Sequence, residues 1–296
     1  MSEVAATPSQ ALVTEAPPTA WGDFKHNLGR IFRSGAFLIG LFIVAFWIGC
    51  AIFGRALVPY DPFADDMLNS LMPPDSQHWF GTDQLGRDVF SRVIAGARDI
   101  LTIAPVATLI STVLGTALGL VMGYFGGWVD EILSRLVDAV LALPAVIVAL
   151  LALTALGTSN ITVLFVIGFS YSPIIARTVR ASVLAERNLD YVAAAELRRE
   201  NRLYTMFVEI LPNVIGPILV EFTVRLGYSI FTVATLSFIG FGIQPPSPDW
   251  GLSIASNYGL IGGGYWWTVV FDSVAIASLV IGVNLMADGI ASALDD

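Results

Sequence analysis

Residues 36–58 read AFLIGLFIVAFWIGCAIFGRALV, with Arg55 as the single charged side chain. A helix needs about 20 consecutive apolar residues to cross the hydrocarbon of a bilayer. This run is long enough. It also exceeds the apolar core of a signal peptide and is followed by no convincing small-residue cleavage pattern, so it reads as a retained membrane anchor. Its lone cysteine, Cys50, is the only one in the chain and can form no intrachain disulfide; packing filler is the simplest role for it.

The rest of the chain repeats the pattern. Of its 296 residues, 55% are hydrophobic and 13% charged, about half the charge content of a soluble domain. Five further runs approach membrane-spanning length: Ile100–Tyr124, Leu136–Leu156, Ile161–Ala176, Val214–Phe238 and Trp266–Met286. The Ile161–Ala176 run is short and interrupted by Pro173. In lipid, backbone amides must be paired within the segment, so all six are expected to be helices. The expected fold is therefore an all-α membrane protein of six transmembrane helices. Met1–Ala20 is rich in Ala, Thr, Pro and Glu and has too little apolar surface to fold alone. Residues 1–35 read as a tail, 36–58 as the first span, 59–99 as a segment between spans, 100–290 as the remaining bundle and 291–296 as a C-terminal tail.

Basic residues orient the spans. Lys25, Arg30 and Arg33 precede the first run, and Arg177, Arg180, Arg187, Arg198, Arg199 and Arg202 lie between the fourth and fifth. The fifth-to-sixth connection carries neither Lys nor Arg. The positive-inside rule then places both termini and the 177–212 loop in the cytoplasm. Residues 59–99 fall outside, although they contain Arg87, Arg92 and Arg98; Asp61, Asp65, Asp66, Asp75, Asp83, Asp88 and Asp99 surround them. A connection of that length is expected to be a folded cap or a surface helix.

Several chemistries lack their residues. Lys25 is the sole lysine, so no glycine-rich turn carries the lysine of a P-loop. Neither a G-x-S-x-G elbow nor an H-E-x-x-H helix is present. His26 and His78 are far apart and have no cysteine near them, so a structural zinc site is not expected. Within the spans, Glu221 and Arg225 stand four residues apart and can meet on one helical face. They read either as an ion pair that orients helices or as the polar lining of a solute path. Asp138 and Asp272 fall near span ends and are expected to meet water or a neighbouring helix. Gly115, Gly119 and Gly123 mark one face where a second helix can approach closely, whether within the subunit or across a subunit seam.

The loop after Asp190 runs YVAAAELRRENRLYTMFVEILPN to Asn213. Ala193–Leu197 and Leu203–Leu211 favour helix, with a polar break at Glu200, Asn201 and Arg202. Small alanines on a short surface helix suit either seating in a partner's groove or a solvated helix on the membrane surface.

This loop resembles the coupling loop of ATP-binding-cassette importer permeases, whose signature is E-A-A, three residues, G, and then a hydrophobic residue before Pro. Counting back from Leu211 and Pro212, Ala194 and Ala195 fall on the two alanines. The stretch Phe80-Gly81-Thr82-Asp83-Gln84-Leu85-Gly86-Arg87-Asp88 is similar to the G-T-D-x-x-G-R-D pattern of the dipeptide/oligopeptide permease group. Leu236–Gly242 with Gln244-Pro245-Pro246 and Asp249-Trp250-Gly251 fits the same group, as does Asn284–Asp295. The resemblance implies a type I importer (MetI-like) permease core with one extra N-terminal helix, in a multi-pass protein of a bacterial inner membrane. It implies no catalytic site and no cofactor in this chain, with ATP and Mg bound by partner ATPase subunits. Further implied partners are a second permease, giving a heterodimer, two ATPase subunits or domains, an extracytoplasmic substrate-binding protein and the lipid bilayer, but no nucleic acid. Ala193, Ala194, Ala195, Arg198, Arg199, Leu211 and Pro212 would couple the ATPases to transport. An ion-driven secondary transporter is the alternative; only Glu221 serves as its mid-span acid, and no inverted repeat is evident.

Three positions depart from the signature: Ala193 replaces its glutamate, Arg199 its glycine and Glu209 the histidine usual before Ile-Leu-Pro. A side chain disfavours positive φ, so Arg199 is expected to forbid a left-handed turn. The solute, from dipeptide to glutathione, opine or nickel, is not specified by these residues.

Overall fold

The computed structural model describes residues 30–295. The expected polar tail, Lys25 and His26 lie outside that range. Among the described residues the chain is helical and has no strand; one isolated bridge joins Thr82 and Asp88. The long helices are α1 (Gly35–Leu57), α2 (Val89–Phe125), α3 (Gly127–Leu141), α4 (Ala145–Leu156), α5 (Asn160–Glu186), α6 (Asp190–Leu197), α7 (Ile215–Ile239), α8 (Trp250–Asn257) and α9 (Trp267–Asp295).

Five of these, α1, α2, α5, α7 and α9, are long and apolar enough to span a bilayer. The third expected span, Leu136–Leu156, is not one helix. It divides into α3 and α4, which meet at 86°. Pro144 has no N–H to donate, and its ring drives Leu143 out of the helical region; Pro144 itself takes ψ 118°. Six spans result only if this bent pair counts as one. The Ile161–Ala176 run, in contrast, is the first part of a 27-residue helix that passes through Pro173 and ends at Glu186. Arg177 and Arg180 therefore sit on α5 and not in a loop. Likewise α2 starts at Val89, taking in residues 89–99.

Close helix crossings rest on glycine. A Cβ on Gly40 of α1 would lie 2.4 Å from the Gly282 carbonyl of α9. Trp47 extends that seam by donating its indole N–H to Ser278 at 3.0 Å. Gly115, Gly119 and Gly123 of α2 all face α5, where added Cβ atoms would fall 2.6–2.7 Å from Ile175, Ala176 and Val183. The glycine stripe thus serves packing within the subunit.

Two apolar cores follow. The larger joins α1, α2, α4, the first half of α5, α7, α8 and α9, with Trp250 fully buried in it; Cys50 is buried in it too. The smaller binds the Gly123 end of α2 and the far half of α5 to α6 and the segment after it, through Leu120, Tyr124, Val179, Val183, Val192, Met206 and Ile210.

Candidate functional site

Three polar constellations stand on this frame. The first is the cap of residues 59–88, a folded structure as expected. Asp83 knits it: Oδ1 accepts the backbone N–H groups of Leu85 and Arg87 at 2.8 and 3.0 Å, and Oδ2 accepts Nε of Arg87 at 2.8 Å. Gly86 has φ 75°, and a Cβ there would collide with the Asp66 carbonyl at 1.7 Å. Asp88 caps α2 through Ser91 N at 2.8 Å and meets Nδ1 of His78 at 2.9 Å. Arg92 is buried, donating to the carbonyls of Pro62 at 2.9 Å and Ser247 at 3.2 Å, with Asp83 at 3.8 Å. The glycine-threonine-aspartate motif is therefore a stitching device. Arg87 and Arg92 bring their charges into the cap without exposing them, because aspartates and carbonyls already engage them.

Beneath the cap, α8 lies across α2 and α7. Trp250 donates its indole N–H to Val93 O at 2.8 Å, and Gly251 sits where a Cβ would be 2.3 Å from Ala234 O. Asp249 caps α8 by accepting Leu252 N at 2.9 Å. Burial, reinforced by the charge of Asp99, outweighs that hydrogen bond and pushes the Asp249 carboxyl up to about 6. Of the two expected surroundings Asp272 has the second, neighbouring elements in place of water: it is buried within electrostatic reach of Arg92 and Asp249. Asp138 does stay exposed, 3.5 Å from Arg177.

The second constellation is the seam between α5 and α7. Glu221 and Arg225 pair as their spacing predicts, Nε to Oε2 at 2.9 Å, and the other carboxylate oxygen of Glu221 accepts Thr178 Oγ1 at 2.9 Å. The Arg225 guanidinium lies over the Tyr228 ring at 5.0 Å. One turn further, Tyr171 and Thr232 share a hydrogen bond of 2.6 Å. Thr178, Tyr171 and Thr232 were invisible to sequence reasoning: lone hydroxyls in apolar runs carry no pattern, and their partners lie on another helix.

The third is the 190–213 loop. Helix α6, a break and a second helical segment occur in the expected places. The structure corrects one expectation: Arg199 does adopt a left-handed conformation, with φ 57°. The N–H of Arg199 reaches Glu196 O at 2.9 Å and that of Glu200 reaches Ala195 O at 3.2 Å. These paired bonds form a Schellman closure, and two otherwise orphaned carbonyls offset the strain of the side chain there. The turn expected of glycine is kept without glycine.

Beyond Asn201, whose side chain accepts Leu203 N at 3.2 Å, Thr205–Ile210 winds as a π-helix. It ends at Leu211, whose N–H reaches back five residues to Met206 O. Pro212, following at once, can donate to no carbonyl, so a widened turn ahead of it relieves the ladder. Arg198 donates to Glu209 Oε1 at 2.9 Å, a brace between the two arms of the loop. Tyr191 bonds the Glu186 carboxylate at 2.7 Å; burial and that carboxylate push its phenol up to about 12.

The alanines divide. Ala195 is fully buried under the loop, as is Val192. Ala193, Ala194, Arg198, Arg199 and Pro212 are exposed, and Leu211 is half-buried. Leu197 projects with 86% of its surface free, and Leu203, Phe207 and Val208 of the same loop are exposed as well. The product is a rigid knob with an apolar crest, founded on the ends of α2 and α5.

Residues 115–296 match the family described as binding-protein-dependent transport system inner membrane component, and residues 19–74 match the N-terminal TM domain of oligopeptide transport permease C. The chain belongs to this permease family. The dipeptide transport system permease protein DppC of Alkalihalophilus pseudofirmus is 34% identical, over 94% of this chain and 91% of its own length. The di/tripeptide permease DppC of Pseudomonas aeruginosa is 37% identical over 93% and 90%, and the glutathione permease GsiD of Pectobacterium atrosepticum 36% over 94% and 91%. Among solved structures, a chain of the inward facing MetNI methionine ABC transporter superposes with TM-score 0.55 at 18% identity, covering 68% of this chain and 96% of that one. The shared fold is the importer permease core, to which α1 is the N-terminal addition. The permease is a multi-pass inner-membrane transporter component, and an ion-driven secondary transporter is not favoured.

Proposed function

We propose that this permease forms, with a second permease, the translocation path for peptides or similar small solutes in an importer powered by two ATPase subunits. Those partners bind the ATP and Mg; a substrate-binding protein delivers solute at the cap. In this reading the cap is extracytoplasmic and the 190–213 knob and both termini are cytoplasmic. The observation that carries the proposal is the knob: Val192, Met206 and Ile210 anchor it in a core shared with α2 and α5, and Ala195 is buried beneath it. Force applied to Ala193, Ala194, Leu197, Arg198 or Arg199 passes into two helices packed backbone to backbone, and rigid bodies of this kind rock rather than bend. Leu211 and Pro212 close the lever.

The path itself is proposed along the α5/α7 face bearing Glu221 and Arg225, beside the exposed Tyr228 and Phe231. Opposite charges there suit a solute carrying an amine and a carboxylate. Relatives named for dipeptide, di/tripeptide and glutathione transport support that solute class.

The test replaces Ala194 with Trp and Leu197 with Asp. Both positions are exposed, so the chain itself is expected to fold normally. Solute-stimulated ATP hydrolysis and uptake should fall together while the isolated ATPases are unaffected. Normal coupling in a complete complex carrying both substitutions would refute the role of the knob.

A further inference from the structure

A cavity of about 1070 Å³ opens between the end of α1, the cap, the start of α2 and the first turn of α5. Both Arg55 and Arg98 line it. Arg87 of the cap and Arg92 beneath it are engaged, yet among the described residues neither Arg55 nor Arg98 has an ion-pair partner or a side-chain hydrogen bond. Asp61 and Asp99 line the same cavity. Asp61 accepts only Phe63 N, at 3.0 Å, and Asp99 accepts the hydroxyl of Ser247; each keeps a carboxylate oxygen for another donor. Four charges, two of each sign, therefore surround one opening.

The opening continues inward. A second cavity of about 650 Å³ shares Ile52, Arg98 and Thr102 with the first and runs on to Leu226, Ile230 and Val283. Charged groups lie at the cap end only; the inner extension is apolar apart from Arg98 and Thr102. This is a charged mouth joined to an apolar track, at the boundary where α1 leaves its apolar run.

We propose that the groove holds a phospholipid with a zwitterionic, primary-ammonium headgroup. Its phosphate is held by Arg55 and Arg98, its ammonium by Asp61 and Asp99, and an acyl chain lies along Ile52, Leu226 and Ile230. Guanidinium groups suit a phosphate, and a purely anionic lipid would leave the two carboxylates unmatched. The lipid would fasten α1 and the cap to the transport core. The inference rests on the membrane placement proposed above, but its readout is bound lipid and not transport.

The experiment uses the full chain in its assembled complex, in detergent micelles titrated with phosphatidylethanolamine, phosphatidylglycerol, phosphatidylcholine or inorganic phosphate. Native mass spectrometry counts retained lipid, and thermal denaturation follows stabilisation. Phosphatidylethanolamine should be retained best. Arg55→Gln and Arg98→Gln should each weaken its retention roughly tenfold, the worth of one charge-assisted hydrogen bond. Asp61→Asn should abolish its preference over phosphatidylglycerol. Thr102→Trp, an exposed position common to both cavities, should block retention without touching a charge. The proposal is overturned if the double arginine variant retains phosphatidylethanolamine like the parent, if all three lipids bind equally, or if phosphate alone stabilises as well. A groove filled in the complex by a segment of the second permease, found by cross-linking from a cysteine at position 102, would also overturn it.

Discussion

Consider Gly119 replaced by alanine. The added methyl would stand 2.7 Å from Ala176 O, 2.8 Å from Val179 Cβ and 3.0 Å from Arg180 N. Two of those atoms are backbone of α5, which no rotamer change can clear, so α2 and α5 must separate by several tenths of an ångström or more. Inserting a methylene into a packed seam costs about 1–3 kcal/mol. Alanine in place of glycine returns roughly 0.5–1 kcal/mol through the backbone entropy of the helix. The net loss is ~0–2.5 kcal/mol, and the two backbone contacts put it toward the upper end. Gly49 of α1, where no atom lies within 4 Å of the built Cβ, supplies the control: only the entropy term acts, and Gly49→Ala should be neutral or stabilising. The measurement is unfolding of the purified protein in micelles by heat or denaturing detergent, with both variants compared to the parent. Because the seam also founds the knob, Gly119→Ala should weaken coupling of ATP hydrolysis to uptake. If Gly119→Ala proves as stable as Gly49→Ala, the glycine stripe is not a packing seam and the lever loses its foundation.

Two further predictions concern single residues. Asp249, pushed up to about 6 by burial, binds its proton more tightly folded than unfolded, where a carboxyl titrates near 4. Its stabilisation is complete below about pH 4 and is lost as pH rises through 6, a swing of ~3 kcal/mol. Asp249→Asn keeps an N-cap, so unfolding measured across pH 4–7 should lose that slope; parallel curves for the two proteins would contradict this account. Arg199→Gly relieves a left-handed side-chain conformation worth roughly 1 kcal/mol and should stabilise the knob, seen as slower proteolysis after Arg198; faster cleavage would argue that the Arg199 side chain itself holds the turn.

Much of the fold was legible because lipid leaves few choices. Apolar runs of bilayer length must be helices, and α1, α2, α5, α7 and α9 follow from that alone. Their ends were less legible. Residues 89–99 extend α2, and 177–186 extend α5, although both stretches carry charged side chains: a helix continues past the hydrocarbon wherever its outer turns have partners, as Arg92 does beneath the cap and Arg180 does on Asp130 at 2.5 and 2.6 Å. The break at Pro144 was hidden inside an apolar run that looked continuous, since hydropathy does not register a missing N–H.

At the candidate site, the i, i+4 spacing of Glu221 and Arg225 was enough to pair them, because both lie on one helix. The helix–break–helix form of the 190–213 loop was likewise written in local propensity and a polar interruption. Tertiary structure alone decided that Ala195 is buried while Ala194 is exposed, that Gly115 and Gly119 face α5, and that Arg199 can hold a positive φ. Each of those outcomes depends on atoms far away in sequence, or on paired hydrogen bonds whose worth a residue's intrinsic preference does not contain. Sequence determined which segments must leave water; the contacts between them determined which residue faces which neighbour.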